Sequence, residues 1–129
     1  MTDSSFRDAG SILFVQLPLV DHGYNYTAGN FQSAPLTLAA YLSLNHPRYQ
    51  PEIMPRQLVD YLGVDRLAEC LLEIETGILA FTCYAWNVEA HLHIAAKVKK
   101  SSPSTIIMMG GPEISADSFV LQHYQPAVD

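Results

Sequence analysis

Three short runs of apolar residues constrain the fold of this 129-residue chain more than any other feature. They read SILFVQL (residues 11–17), GILAFTCY (residues 77–84) and STIIMM (residues 104–109), and they are rich in branched and aromatic side chains. Strands that are apolar throughout, rather than at every second position, are typical of a sheet covered on both faces. A weaker run, QPEIMP (residues 50–55), is flanked by prolines and suits the edge of that sheet.

Helical patterns fill the intervals between the strands. Pro35 suits the start of a first helix, and apolar residues at three- and four-residue spacing predict a second helix around residues 64–72. Asn87 is a good N-cap for a third helix, and we expect a last helix over residues 116–124. The alternation of strands and helices predicts an α/β fold with a parallel sheet and right-handed crossovers.

Composition limits the classes of function. The formal net charge is −6, and the few lysines near residue 100 suit the end of a helix, so neither nucleic acid nor an anionic membrane is an expected partner. Cys70 and Cys83 show no disulfide or zinc spacing. The length fits one domain, which we place at residues 11–129 after a disordered tail at residues 1–10. The polar amino terminus and the absence of a long apolar run favour a cytoplasmic location.

Ligands of parallel α/β sheets bind outside the carboxyl ends of the strands. The sequence Gly110-Gly111-Pro112-Glu113 lies at such an end. Its glycines permit a positive φ and a close approach of a ligand to the backbone, although a tight strand-to-helix turn would explain them equally well. The sequence matches neither a phosphate-binding loop nor a dinucleotide-binding motif.

A second candidate site follows the third apolar run. Thr82 offers a hydroxyl at the strand tip, and Tyr84 and Trp86 add aromatic surface that suits a large planar ligand. The alternative is that Trp86 packs over the end of the sheet while Asn87 caps the next helix.

The long loop after the first strand, residues 18–35, lies on the same side of the sheet and contains Tyr24 and Asn25. Loops of this length are usually functional or disordered, and its aromatic residues favour function. We assign no ligand role to His91 and His93, because residues two apart on a helix do not share a face.

The endings AFTCYAWN (residues 80–87) and IIMMGGPEIS (residues 106–115), one βα unit apart, resemble the cobalamin-binding domain found at the amino terminus of many radical S-adenosylmethionine enzymes. The resemblance extends from about residue 11 to residue 129. It implies a three-layer, flavodoxin-like Rossmann fold with strand order 2-1-3-4-5. Because the fifth strand would only begin near Val128, we expect a sheet of order 2-1-3-4, truncated at its carboxyl-terminal end. The fourth strand would then be an exposed edge that can pair two chains into a homodimer.

The resemblance also implies roles for individual residues. Thr82-Cys83-Tyr84 stands where the family has S-x-L, and Gly110-Gly111 stands where it has G-G, so that the hydroxyl and the glycines would line the groove for the nucleotide tail of cobalamin. Asp21-His22-Gly23 does not fit the D-x-H-x-x-G motif, which implies base-off cobalamin without a histidine ligand. The residues expected to contact the cofactor are Thr82, Tyr84, Trp86, Asn87, Gly110, Gly111, Pro112, Glu113, Tyr24 and Asn25.

The expected function is that of a cobalamin-binding domain in a larger radical S-adenosylmethionine enzyme that transfers methyl groups or rearranges radicals. The chain has no C-x-x-x-C-x-x-C motif for a four-iron cluster, so S-adenosylmethionine and the cluster would belong to a barrel domain absent from this chain. The chain would then not be catalytic on its own. The alternative is a vestigial Rossmann-like module that binds no cobalamin and serves for docking or for covering a substrate site.

Overall fold

The computed structural model describes residues 10–18, 32–115, 122 and 127–129. This part of the chain contains four strands and four helices, with two consecutive helices between the second and third strands. In order, they are β1 (Ser11–Val15), α1 (Ser33–Asn45), β2 (Gln50–Ile53), α2 (Arg56–Tyr61), α3 (Val64–Ile74), β3 (Ile78–Thr82), α4 (Val88–Ser101) and β4 (Ile106–Gly110).

The strands form one parallel sheet in the order β2-β1-β3-β4. This confirms the predicted α/β class and strand order, and the architecture is consistent with a flavodoxin-like Rossmann fold. In the register, Phe14 lies between Ile53 and Ala80, and Thr82 is opposite Gly110. The carboxyl ends of β3 and β4 therefore meet at one edge of the sheet.

The two faces of the sheet are covered unequally. One face presents Leu13, Val15, Leu79 and Ile107 to a buried core that both α3 and α4 complete. The other face presents Ile12, Phe14 and Ile78, which form a smaller cluster packed against α1. Three of the described helices thus lie on one side of the sheet, because α2 also contributes the buried Val59 to the first core, and α1 lies on the other side.

The described residues near the carboxyl terminus run beside the outer edge of β4. The backbone N–H of Asp129 donates to the carbonyl of Ile107 over 3.0 Å, and the Asp129 carboxylate accepts from the N–H of Ile107 over 2.9 Å. The Lys99 ammonium also contacts this carboxylate. One position of the β4 edge is therefore occupied by the chain itself.

The sequence-based element boundaries differ from the structure at several ends. The strands are shorter than the apolar runs, because residues 83–84 and 104–105 belong to the adjoining turns. The short helix α2 was not predicted. β2 lies at the sheet edge, as its prolines indicate. The expected tail at residues 1–10, apart from Gly10, and nearly all of the last helix lie outside the described residues.

None of the described helices has the length and apolar character needed to cross a membrane.

Candidate cofactor-binding groove

Backbone hydrogen bonds join the ends of β3 and β4. The N–H of Cys83 donates to the carbonyl of Gly110 over 2.7 Å, and the carbonyl of Cys83 accepts from the N–H of Glu113 over 3.3 Å. Gly111 lies in this turn with a φ of 109°. A Cβ atom at Gly111 would lie 2.5 Å from the oxygen and 2.8 Å from the nitrogen of Cys83. The chain's own backbone therefore requires a glycine at this position.

Gly110 differs from its neighbour. It lies within β4, it does not have a positive φ, and a Cβ atom built on it would meet no atom within 4 Å. Packing within the described chain gives no reason for a glycine at this position. The absent side chain instead leaves open the floor of a neighbouring groove.

This groove has a volume of about 250 Å³ and lies between α1 and the carboxyl ends of β1, β3 and β4. Phe14, Ala34 and Leu38 contribute apolar walls, and Gly110 lies in the floor. Thr82 also lines the groove; it is 7% exposed, and its hydroxyl has no partner among the described residues. An unpaired hydroxyl in an apolar groove is suited to fixing the orientation of a ligand.

Sequence reasoning missed the apolar walls of the groove. Phe14, Ala80 and Met108 are paired across the sheet and lie on the same face as Thr82, because alternate residues of a strand share a face. Counting back by two from Thr82 and Gly110 would have found Ala80 and Met108. Gln32, just before α1, was also missed; it is buried, and its Nε2 has no acceptor among the described residues.

Tyr84 and Trp86 form an aromatic pair at the mouth of the groove. Their rings are stacked, with centroids 4.6 Å apart and planes 4° from parallel. Tyr84 lines the groove beside Pro112, whereas Trp86 is 49% exposed and lies on the outer side of the pair. The side chain of Glu113 is exposed to solvent. The rim therefore offers a flat aromatic surface and one carboxylate.

Asn87 is turned inward from this rim. It is 1% exposed and occupies the N-cap position of α4, but its side chain makes no capping bond with the helix. Its amide nitrogen donates to the carbonyls of Leu17 and Thr82 over 3.0 and 3.2 Å, and its Oδ1 accepts from the N–H of Tyr84 over 2.7 Å. The side chain thereby fixes the ends of β1 and β3 relative to each other.

His91 lies one turn further along α4 and is fully buried. Its Nε2 accepts from the N–H of Leu17 over 3.1 Å, and its Nδ1 lies 3.5 Å from the sulfur of Cys83. Because Nε2 accepts, the ring proton resides on Nδ1 and points to the thiol. Burial lowers the pKa of His91 to about 3 and raises the pKa of Cys83 to about 12. The pair is therefore a neutral part of the core rather than an activated thiolate.

The remaining site predictions fall outside the described residues. Tyr24 and Asn25 belong to the loop after β1, as does His22, to which no ligand role was assigned; between β1 and α1 only residues 16–18 and 32 are described. Within the described part of the chain, no group of three or more His, Cys, Asp or Glu residues is placed to hold a metal ion.

Comparison with known proteins gives one partial similarity. No protein-family model matches the chain. Over 41 residues, or 32% of its length, the chain is 34% identical to the cobalamin-dependent radical SAM methyltransferase TokK of Streptomyces tokunonensis. The matched stretch spans 6% of that protein. A match this short indicates a link to cobalamin-dependent radical SAM enzymes and does not establish membership of a family.

Proposed function

We propose that this chain is a cobalamin-binding domain of a larger radical S-adenosylmethionine enzyme that transfers methyl groups or rearranges radicals. One observation carries the proposal: the open floor at Gly110 and the hydroxyl of Thr82, which has no partner among the described residues, line the same groove. The resemblance of the two strand endings to the cobalamin-binding family points to this position for the nucleotide tail. The partial similarity to TokK supports the same cofactor class.

The size of the groove agrees with binding of part of the cofactor. Its volume of about 250 Å³ is slightly below the usual range of ligand pockets, so it can enclose a heterocyclic base but not a corrin ring. In the proposal, the base of the tail enters the groove beside Thr82, and the corrin lies outside on the rim. Gly111, Pro112 and the stacked Tyr84–Trp86 pair would form that rim.

The described residues would bind and orient the cofactor. The Thr82 hydroxyl would hydrogen-bond to the tail, Gly110 would permit contact with the strand backbone, and Tyr84 would close the side of the groove. Asn87 has a positioning role in this proposal, because its amide is already bonded to three backbone groups. When bound, cobalamin would supply a cobalt ion able to carry a methyl group or to support radical chemistry.

A base-off cofactor without a protein imidazole fits the described histidines. None of them lines the groove, and both ring nitrogens of His91 have partners within the core. The proposal therefore assigns no axial ligand to this part of the chain. S-adenosylmethionine and the four-iron cluster would be bound by a separate barrel domain of the full-length protein.

The test is a titration of the purified protein with hydroxocobalamin and with methylcobalamin, followed by visible absorbance. We expect saturable binding with a base-off spectrum. A histidine-ligated spectrum would contradict the absence of an axial ligand. No saturable binding would overturn the proposal and leave the vestigial docking module as the better account.

A matched pair of variants makes the test specific for the groove. Gly110→Val places a side chain into the groove and should weaken cobalamin binding by about tenfold or more, equivalent to about 1.4 kcal/mol. Gly63→Val is the control, because a Cβ atom at Gly63 also meets nothing within 4 Å and this residue precedes α3, away from the groove. Equal affinity of the two variants would show that cobalamin binds elsewhere.

A further inference from the structure

The amino end of α1 lies beside the candidate cofactor-binding groove. α1 connects β1 to its parallel neighbour β2, so it begins at the carboxyl edge of the sheet and runs back against the strand direction. Ala34, in the first turn of α1, lines the groove together with Thr82 and Gly110 from the ends of β3 and β4. The groove therefore has a helix amino terminus on one side and strand ends on the other.

This helix end carries free hydrogen-bond donors. The first N–H groups of any helix have no acceptor within the helix, and in α1 the first such bond is donated by Leu36 to the carbonyl of Gln32 over 3.1 Å. The N–H groups of Ser33 and Ala34 have no acceptor among the described residues, and Pro35 has no N–H group. The side chain of Gln32 occupies the N-cap position but makes no capping bond. Two backbone donors beside the groove therefore remain available.

The hydroxyl of Thr82 is a second, independent sign of a ligand at this place. Thr82 is 7% exposed, it lines the groove, and its hydroxyl has no partner in the part of the chain that the structure describes. Gln32 is 8% exposed, and its Nε2 likewise has no acceptor there. Because buried polar groups are normally hydrogen-bonded, these donors imply an acceptor that the described chain does not supply.

The charges around the groove favour an anionic acceptor. No Asp or Glu is among the described residues that line the groove, and the first turn of α1 contains no acidic side chain. Nothing in this described surface therefore offsets the partial positive charge at the amino end of the helix. Phosphate groups bind at such helix ends, because their oxygens accept from the free N–H groups. No Lys or Arg lines the described groove either, so the site suits the single charge of a phosphodiester.

We infer that the amino end of α1 and the hydroxyl of Thr82 bind the phosphodiester of the corrinoid's nucleotide tail. The inference rests on the proposed function and adds a polar contact to it. The phosphate oxygens would accept from the N–H groups of Ser33 and Ala34 and from the Thr82 hydroxyl, while the base occupies the apolar part of the groove. In the tail, the phosphate lies between the corrin and the ribose that bears the base. Ser33 is exposed to solvent, so these donors lie at the open side of the groove, as that covalent order requires.

Three corrinoids test the inference on the unchanged protein. Cobalamin has the phosphate and the base, cobinamide phosphate has the phosphate alone, and cobinamide has neither. Titrations followed by visible absorbance should show that cobinamide phosphate binds about tenfold more tightly than cobinamide. Equal affinities of these two would overturn the inference and leave cobalamin binding intact. Failure of all three to bind would overturn the proposed function, and the inference with it.

A charge-matched pair of variants locates the phosphate at α1. Ser33→Asp places a carboxylate at the amino end of the helix, where it stabilises the helix but repels a phosphate. It should weaken binding of cobalamin and of cobinamide phosphate about tenfold and leave cobinamide unchanged. Ser33→Asn is the neutral control of the same size, and it should leave all three affinities within about twofold. An equal effect of Ser33→Asp on cobinamide and cobinamide phosphate would contradict a phosphate contact at this helix end.

Variants of Thr82 separate a phosphate contact from a contact to the base. Thr82→Val keeps the shape of the side chain without the hydroxyl, whereas Thr82→Ser keeps the hydroxyl. We expect the preference for cobinamide phosphate over cobinamide to decrease about fivefold in Thr82→Val and to persist in Thr82→Ser. If Thr82→Val weakened cobalamin binding without changing this preference, the hydroxyl would contact the base and its part of the inference would be wrong.

Discussion

The two adjacent glycines at the end of β4 are present for different reasons. Substituting alanine at each position in turn should distinguish their roles. Gly111→Ala should lower the free energy of unfolding by about 1–3 kcal/mol, because alanine would be strained at a φ of 109° and its Cβ would collide with Cys83. Gly110→Ala should change it by less than about 1 kcal/mol, towards greater stability. Urea denaturation of both variants measures the difference. Equal losses would contradict the distinct roles.

Burial of His91 predicts a specific pH dependence of stability. Its pKa is lowered from 6.5 to about 3, so between these values the unfolded chain binds a proton that the folded chain does not. The free energy of unfolding therefore has its full value above pH 6.5. Below that pH, it decreases by about 1.4 kcal/mol per pH unit as the unfolded chain takes up the proton. His91→Gln should remove this component of the slope. Denaturation midpoints from pH 7 to pH 4 test it, and identical slopes for both proteins would refute it.

Some residue roles were readable from the sequence and others were not. The hydroxyl of Thr82 and the turn at Gly111 followed from strand ends and glycine placement. The core position of His91 did not follow, because its partners Leu17 and Cys83 are 74 and 8 residues away along the chain. Asn87 was correctly placed at the N-cap position, but its side chain bonds to Leu17 just after β1, to Thr82 at the end of β3 and to Tyr84 instead of to the helix.

At the level of elements, Asn87 at the N-cap position of α4 joins the segment after β1 to the end of β3. Asn87→Ala would leave the buried carbonyls of Leu17 and Thr82 and the N–H of Tyr84 without this partner. We expect a loss of about 3 kcal/mol, since each unpaired buried group costs about 1–3 kcal/mol. Hydrogen exchange should also quicken at the amide of Tyr84.

The control for this prediction is Asn45→Ala at the end of α1. The Asn45 amide also donates to a backbone carbonyl, that of Tyr41 over 2.9 Å, but it does so in solvent. Its loss should cost less than about 0.5 kcal/mol. Similar losses at the two positions would show that Asn87 acts only as a local helix residue.

The apolar runs identified three strands correctly, because strands buried on both faces are apolar at nearly every position and rich in branched and aromatic residues. The helix α3 was readable from its regular apolar spacing. In contrast, α2 has six residues, too few to show a helical period. α1 was found from Pro35 and the apolar residues that follow it, although its leucines are distributed around the helix and form no single stripe.

At the scale of the molecule, the fold class and strand order were predictable, whereas the unequal covering of the sheet was not. Alternating strands and helices specify a parallel sheet. Which face each helix covers depends on crossover geometry, and the exposure of Ile106 and Met108 became visible only in three dimensions. The same sheet face carries the candidate groove, between α1 and the carboxyl ends of β3 and β4.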